Sequence, residues 1–313
     1  MSRKHHDTLH VKRDTNKGIM KVAIIGAGNV GAMTASRVVD AGLADVALID
    51  IVPGLAKGKS LDISDARPIT GSRVLITGSE DFSDLKGSDV VVVTAGLARK
   101  PGMSRDDLLK KNSDIIKGVS SRLKKYCPSS IIIVVTNPLD VMSYLVMKTT
   151  GFNPKKVIGM AGVLDTARFI NILGEKNKNI DEEKFLMMGS HGDTMVPVSR
   201  SKNVPEDVFR GAAELSRNRG IEIVKYLGTG SAYFAPSASV FFMLKAIIKD
   251  EKKTMCASAY LTGQYNEKDI YIGVPVILGA SGIEKIIETE LTEEEQKAFK
   301  NSALQIREGI AKT

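Results

Sequence analysis

The chain has 313 residues, 43% of them hydrophobic, with a mean hydropathy of -0.03. These values predict a globular protein with room for two domains, and no apolar run approaches the roughly 18 residues of a membrane helix. The net charge is +8, yet aromatic residues make up only 5% and tryptophan is absent. A base-stacking surface for nucleic acid is therefore not expected. A small anionic substrate or a phosphate-bearing cofactor explains the positive charge more simply.

Residues 1–18 differ in composition from the rest of the chain. They hold five Lys or Arg residues against two Asp residues, and three of the four histidines. They lack the apolar core of a signal peptide, and the aspartates argue against a transit peptide. We therefore predict a disordered arm or a tag, with the fold beginning at residue 19.

The two cysteines, Cys127 and Cys256, are too few for a disulfide framework and lack the paired spacing of a zinc site. We therefore predict that both cysteines pack in the core of a protein in a reducing compartment, which indicates the cytoplasm. No metal site is expected.

The first organised segment predicts a strand, a glycine turn and a helix. The strand is Lys21–Ile25, and the helix ends at Gly42, a residue type common at helix C-termini. A second strand, Val46–Ile49, leads to Asp50, 19 residues after the last glycine of the turn. The turn consists of Gly26, Ala27, Gly28, Asn29, Val30 and Gly31.

This arrangement favours a dinucleotide site over a glycine corner with a purely structural role, because the strand, the helix and the acidic residue are all present. Gly26 would make the turn, Gly28 would let the backbone approach a pyrophosphate, and Gly31 would permit close helix packing. Asp50 would accept hydrogen bonds from the ribose hydroxyls. Its charge would repel a 2′-phosphate, so NAD is favoured over NADP.

Further short, β-branched segments predict strands buried on both faces of a parallel sheet, namely Val74–Ile76, Val90–Val93 and Ile131–Val135. The expected fold is α/β, a doubly wound parallel sheet at residues 19–145, followed by a substrate or catalytic domain at residues 146–313.

Two loops follow these strands at the edge where ligands bind in such sheets. One carries Arg99 and Arg105 on a segment with Gly and Pro, and is either a solvated basic loop or a mobile lid over an anionic substrate. The other contains Asn137 before Pro138, which is either a structural turn or part of the site.

A third group combines a carboxylate, an arginine and the one histidine after residue 10. Asp165 and Arg168 have the i, i+3 spacing of one helix face, which by itself fits a surface ion pair. His191, however, needs a carboxylate to orient its imidazole, and a substrate carboxylate needs the two-pronged arginine side chain.

Together these motifs resemble the lactate/malate dehydrogenase family in order and approximate spacing, from about residue 20 to the C-terminus. Within the family they are most similar to the NAD-dependent malate dehydrogenases of the bacterial, lactate-dehydrogenase-like type. The resemblance implies a Rossmann-type domain followed by an α+β catalytic domain, NAD as cofactor, and a homotetramer or homodimer.

The resemblance also implies roles. His191 would exchange a proton with the substrate hydroxyl, Asp165 would orient His191, and Arg168 would bind the substrate carboxylate. Arg105 would polarise the carbonyl, and Asn137 would touch substrate and nicotinamide. The other residues implied for the cofactor site are Asn112, Val135 and Thr136.

Position 99 selects the substrate in this family, where an amide suits lactate and arginine suits malate and oxaloacetate. Arg99 thus favours a dicarboxylate substrate over lactate or a broader range of 2-hydroxy acids. A non-catalytic dinucleotide-binding protein is a third hypothesis, which predicts loss of Asp165, Arg168 or His191, and all three are present.

The resemblance to this family also bears on two further segments of the chain. Residues 228–236 resemble the helix start that lines the nicotinamide pocket; the alternative is a buried helix start with no ligand role. The chain between Pro197 and Arg217 is shorter than the family pattern, either through a trimmed loop or through missing residues.

Overall fold

The structure is a computed structural model that describes residues 18–97, 103–177, 180–201 and 203–313. The predicted arm therefore lies, up to residue 17, outside the described residues. The strands are β1 (Lys21–Ile25), β2 (Asp45–Ile49), β3 (Ile76–Ser79), β4 (Val90–Val93), β5 (Ile131–Val134), β6 (Val157–Gly159), β7 (Phe185–Met188), β8 (Val196–Ser199), β9 (Lys253–Thr262), β10 (Lys268–Gly279) and β11 (Gly282–Ile286). The helices are α1 (Asn29–Asp40), α2 (Leu55–Thr70), α3 (Arg105–Tyr126), α4 (Leu139–Thr150), α5 (Gly162–Lys176), α6 (Glu206–Leu227), α7 (Phe234–Ile248) and α8 (Glu293–Ala311).

One nine-stranded sheet runs through both halves of the chain, in the order β11-β10-β9-β6-β5-β4-β1-β2-β3. Strands β1 to β6 are parallel, and β9 to β11 continue the sheet in antiparallel orientation beyond β6. Strands β7 and β8 form a separate antiparallel pair. The predicted doubly wound α/β fold followed by an α+β half is confirmed.

The centre of the parallel sheet is buried on both faces. Every residue of β4 and β5 is buried, and these strands consist only of valine and isoleucine. Full burial of such a side chain contributes about 1.5–3 kcal/mol, so these strands are a rigid base for the loops that leave them. Gly42 follows α1 with a φ of +56°, as expected for a glycine after a helix end.

The third strand was predicted too early in the sequence. It begins at Ile76 and includes Thr77 and Gly78, whereas Val74 lies before it. The reason is that β3 is an edge strand, in which polar residues and glycine are tolerated and the apolar pattern no longer marks the ends. Val135 also lies just after β5, although its amide still donates to the carbonyl of Val93 at 2.9 Å.

The predicted boundary at residue 145 lies within α4, and the sixth parallel strand, β6, follows that helix. No helix among the described residues is long and apolar enough to cross a membrane. After β8, α6 begins at Glu206.

Candidate active site

A cleft opens where the order of the parallel strands reverses, since β1 lies between β2 and β4. Ligands of doubly wound sheets bind at this point, beyond the carboxyl ends of the strands. Loops after β1, β4 and β5 line the cleft, which has a volume of about 500 Å³. Residues 230–232 and Pro236 line it from the second half of the chain, as the similarity of residues 228–236 predicted.

The glycine turn after β1 has the geometry that a dinucleotide pyrophosphate needs. Gly26 has a φ of +106°, and a Cβ on Gly31 would lie 1.9 Å from the carbonyl oxygen of Gly26. A Cβ on Gly28, in contrast, would meet no other part of the described structure within 4 Å, and Gly28 lines the cleft. Gly28 is also the N-cap residue of α1, and as a glycine it has no side chain to accept hydrogen bonds from the amides of the first turn. The open space and the free amide groups of the first turn fit a bound phosphate.

Two charged side chains hold the peptide groups of Ala27. The amide of Ala27 donates to Oδ2 of Asp50 at 2.6 Å, and Nζ of Lys59 donates to the carbonyl oxygen of Ala27 at 2.8 Å. The carboxylate of Asp50 therefore lies directly beside the glycine turn. Its predicted contacts, with the ribose hydroxyls as donors and a 2′-phosphate repelled, stay a prediction.

Replacement by alanine should affect stability at one of these glycines and cofactor binding at the other. Gly31→Ala should lower the free energy of unfolding by about 1–3 kcal/mol, because the new methyl group overlaps the main chain of the turn. Gly28→Ala should leave stability within about 0.5 kcal/mol and weaken NADH binding, because it fills only the open space. Urea denaturation and fluorescence titration with NADH measure the two quantities. Equal loss of stability in both variants would contradict this assignment.

Asn112 joins the loops that line the cleft and does not itself line it. It is completely buried, and its amide nitrogen donates to the carbonyl oxygens of Asn137 at 2.7 Å and Leu97 at 3.1 Å. Its amide oxygen accepts from the Leu97 amide at 2.8 Å. Asn112 thus connects the loops after β4 and β5, whereas Asn137 lines the cleft together with Val135 and Thr136.

The histidine also lines the cleft, against a buried carboxylate. Nδ1 of His191 is 2.8 Å from Oδ2 of Asp165. The side chain of Asp165 is 3% exposed and that of His191 is 20% exposed, so only the imidazole reaches the cleft. A carboxylate acceptor keeps the hydrogen on Nδ1 of the neutral ring, which leaves Nε2 free to exchange a proton.

The surroundings of His191 favour its protonated form. Burial is the largest influence and disfavours the cation, but it is outweighed by the charge and hydrogen bond of Asp165 and by the charge of Asp140. Together they raise the pKa of His191 above its ordinary value of 6.5. A proton held at this ring near neutral pH is suited to general acid and base chemistry.

Arg168 lies one helical turn after Asp165 on α5, on the same face, as the spacing predicted. Its Nη1 atom is 3.8 Å from Oδ1 of Asp165, a distance too long for a hydrogen bond. Its Nε atom is buried and has no hydrogen-bond partner among the described residues. Burial also lowers the pKa of Arg168, although Asp165 opposes the shift. A largely buried guanidinium that lines the cleft fits a carboxylate ligand.

Aromatic packing holds the part of α5 that carries this polar pair. Phe169 is fully buried, with ring centroids 6.2 Å from Phe185 and 5.4 Å from Phe209, both in edge-on geometry. Because Phe169 follows Asp165 by four residues, the two side chains lie on the same side of the helix. The aromatic contacts therefore limit rotation of α5 about its axis and help to keep Asp165 and Arg168 at the cleft.

The loop that carries His191 is held from several elements. Gly189 exchanges two backbone hydrogen bonds of 2.9 Å with Gly273 of β10. The amide of Ser190 donates to Oγ of Ser302 on α8 at 2.6 Å. These contacts leave little freedom for the imidazole, which is the condition for a preorganised catalytic group.

The structure does not bring the predicted lid arginine to this group. Arg105 begins α3, its side chain is 72% exposed, and Nη2 lies 2.5 Å from Oδ2 of Asp193. Its role on the substrate carbonyl stays a prediction. Arg99 lies outside the described residues. The residues that the structure does gather around one cleft are His191, Arg168, Asn137 and the glycine turn, with Asp165 behind them.

Sequence reasoning missed several residues at this site. Asp140 contacts the amide of His191, and Leu108, Met160 and Gly220 line the cleft. Asp140 could have been noticed, because it is the one acidic residue of an otherwise largely apolar helix, α4. The three lining residues carry no chemical signal, since apolar and glycine positions look alike anywhere in a core.

Comparison with known proteins decides the family. Residues 20–159 match the model of the lactate/malate dehydrogenase NAD binding domain, and residues 162–313 match that of its alpha/beta C-terminal domain. The chain belongs to the lactate/malate dehydrogenase family. The domain models of this family thus meet after β6, the last parallel strand, and later than residue 145.

Individual members of the lactate/malate dehydrogenase family resemble the chain over nearly their full length. The malate dehydrogenase of Methanosarcina mazei is 46% identical over 304 residues, which cover 94% of this chain and 99% of that protein. The solved malate dehydrogenase of Picrophilus torridus, in its apo form, has a TM-score of 0.89 and 39% identity, covering 94% and 97%. The lactate dehydrogenase of Cryptosporidium parvum, complexed with lactic acid and NAD, has a TM-score of 0.89 and 36% identity, covering 94% and 98%.

Proposed function

We propose that this protein is an NAD-dependent malate dehydrogenase, which interconverts (S)-malate and oxaloacetate. The observation that carries the proposal is that His191, held by the buried Asp165, and the guanidinium of Arg168 line the same cleft as the open glycine turn. An acid-base group and an anion-binding group thereby stand beside a dinucleotide site. The curated relatives at about 45% identity bear the name malate dehydrogenase.

In malate oxidation, Nε2 of His191 takes the proton of the hydroxyl group, and Asp165 stabilises the imidazolium that results. NAD, when bound along the glycine turn and Asp50, supplies the acceptor for the hydride that leaves the same carbon. Arg168 holds the neighbouring carboxylate with two parallel hydrogen bonds, and Asn137 contacts the substrate from the loop after β5. In the reverse direction, His191 returns the proton while the carbonyl is reduced.

Arg105 would polarise the substrate carbonyl in this scheme, and Arg99 would pair with the second carboxylate of the dicarboxylate. Support for the choice of malate comes from Arg99 in the sequence and from the names of the relatives. Pyruvate has a methyl group where oxaloacetate has a carboxymethyl group, which would leave a desolvated arginine unpaired, so pyruvate would be a poor substrate.

The assay that tests the function follows NADH absorbance with oxaloacetate, with pyruvate and with neither. Rapid oxidation of NADH with oxaloacetate alone is expected. Faster turnover of pyruvate would replace the proposal with a lactate dehydrogenase, and no turnover of either would favour a non-catalytic dinucleotide-binding protein. A parallel assay with NADPH should be much slower because of the charge at Asp50.

The variant Arg99→Gln should shift the substrate preference. We expect kcat/KM to fall for oxaloacetate and to rise for pyruvate, changing their ratio by at least about tenfold, or about 1.4 kcal/mol. The matched control is Lys100→Gln, which removes a positive charge from the neighbouring residue and should leave the ratio unchanged. If both variants keep the wild-type ratio, Arg99 does not select the substrate.

A homodimer or homotetramer in the cytoplasm is part of the same proposal. Helix α6 exposes large apolar side chains, among them Ile221 at 68% and Tyr226 at 81%, which a second subunit would cover. The buried, unpaired cysteines support a reducing compartment.

A further inference from the structure

A second carboxylate lies behind His191, and the scheme above does not use it. Asp140 is 3% exposed on α4, in the first turn of the helix. Its Oδ2 atom accepts the backbone amide hydrogen of His191 at 3.0 Å, and Oδ1 accepts from the hydroxyl of Ser258 at 2.6 Å. A buried carboxylate is costly for the fold unless its partners or its function compensate for the lost hydration.

These two contacts join three separate parts of the protein. Asp140 follows the cleft-lining Asn137 by three residues, Ser258 lies on β9, and His191 is on the loop after β7. The same β9 residue stands beside Gly159 at the junction of the parallel and antiparallel parts of the sheet. One side chain therefore connects the wall of the cofactor cleft, the sheet junction and the histidine loop.

We propose that Asp140 is a positioning residue for this reaction, which fixes the main chain at His191 and places a second buried negative charge near its imidazole. Asp165 acts on the ring itself, whereas Asp140 acts through the backbone amide and through space. This inference rests on the proposed function, because it is the proton transfer at His191 that gives the second charge its value.

The charges around the ring act on it in opposite directions. Asp140 favours the imidazolium, as Asp165 does, and Arg168 opposes it. Burial raises the pKa of Asp140 above its usual value, although the hydrogen bonds from Ser258 and His191 oppose the shift. The charged or titratable groups around the two side chains are Asp165 and Arg168 on α5, the buried Cys256 thiol on β9, Arg219 on α6 next to Arg168, and the exposed Arg105–Asp193 pair.

The variant Asp140→Asn keeps the shape of the side chain and removes its charge. His191 must be neutral to oxidise malate and protonated to reduce oxaloacetate. With a lower pKa at His191, the acidic limb of kcat/KM for malate and the basic limb for oxaloacetate should both move to lower pH. A role in folding alone would lower activity and leave both limbs in place.

A proton NMR titration of the imidazoles reads the same effect without catalysis. The chain has four histidines, and the signal missing from His191→Gln identifies residue 191. We expect this signal to titrate at lower pH in Asp140→Asn than in the wild type. The titration also separates the two proposals, because it holds whether or not the protein turns over oxaloacetate.

The matched control is Asp45→Asn, which changes another carboxylate that accepts a main-chain amide hydrogen, that of Leu75 at 2.8 Å. Asp45 lies at the amino end of β2, whereas the cleft lies beyond the carboxyl ends of the parallel strands, so the titration of His191 should not change. If Asp140→Asn does not fold, Ser258→Ala serves instead. It keeps the carboxylate but removes a donor that favours its charged form, and should shift the titration in the same direction by less. An unshifted His191 signal in a folded Asp140→Asn, or failing that in Ser258→Ala, overturns the proposal.

Discussion

His191→Asn should lower kcat for oxaloacetate reduction by about 10²- to 10⁴-fold, the usual contribution of a general acid or base. Asparagine has no group that exchanges a proton near neutral pH. The affinity for NADH should stay close to that of the wild type, because the predicted cofactor contacts come from the glycine turn and Asp50 and not from His191. Steady-state kinetics and fluorescence titration with NADH measure the two effects.

The companion variant Asp165→Asn tests the carboxylate that supports proton transfer at His191. Asp165 raises the pKa of His191, so its loss should move the basic limb of oxaloacetate reduction to lower pH in addition to lowering kcat. If His191→Asn retained more than about a tenth of the wild-type kcat, another residue would be the acid-base group, and the proposed mechanism would be wrong.

Arg168→Lys is expected to have the second largest effect, a loss of about 10²- to 10³-fold in kcat/KM for oxaloacetate. Lysine keeps the positive charge but cannot form two parallel hydrogen bonds to a carboxylate. The side chain of Arg168 lines the cleft, and its Nε atom has no hydrogen-bond partner among the described residues. The measurement is the same NADH assay at several oxaloacetate concentrations.

Arg210→Lys is the control for this variant. Arg210 is exposed on α6 and pairs with Glu206, also on the surface, so its replacement should change kcat/KM very little. Similar kinetics for Arg168→Lys and the wild type would show that the substrate carboxylate binds elsewhere.

The strength of the local signal explains which elements could be predicted. The turn at Gly26 and Gly31 could be predicted because backbone strain and close packing leave only glycine, and the structure shows both constraints. Strand β4 could be predicted because burial on both faces demands a continuous apolar run. The edge strand β3 was misplaced, since an edge tolerates residues that mark no boundary.

At the candidate site, too, the residue types could be predicted from the sequence and the contacts between them could not. The residue types at Asp165, Arg168 and His191 suggested acid-base chemistry and anion binding, and one helical turn placed the first two on a common face. The separation of 26 residues between Asp165 and His191 gave no information about their contact. Nor could the pattern show that Arg105 pairs with Asp193, because side-chain direction depends on neighbours that are distant in sequence.

The amino-acid sequence by itself determined the parallel sheet, the dinucleotide turn and the chemical types of the groups at the site. These features follow from short-range rules of periodicity, turn geometry and charge, which act within about 30 residues of chain. Only the tertiary structure decided that Asp165 and Asp140 flank His191, and that Asn112 joins two loops of the cleft. These contacts join segments far apart in the chain, and it is the packing of the whole core that brings those segments together.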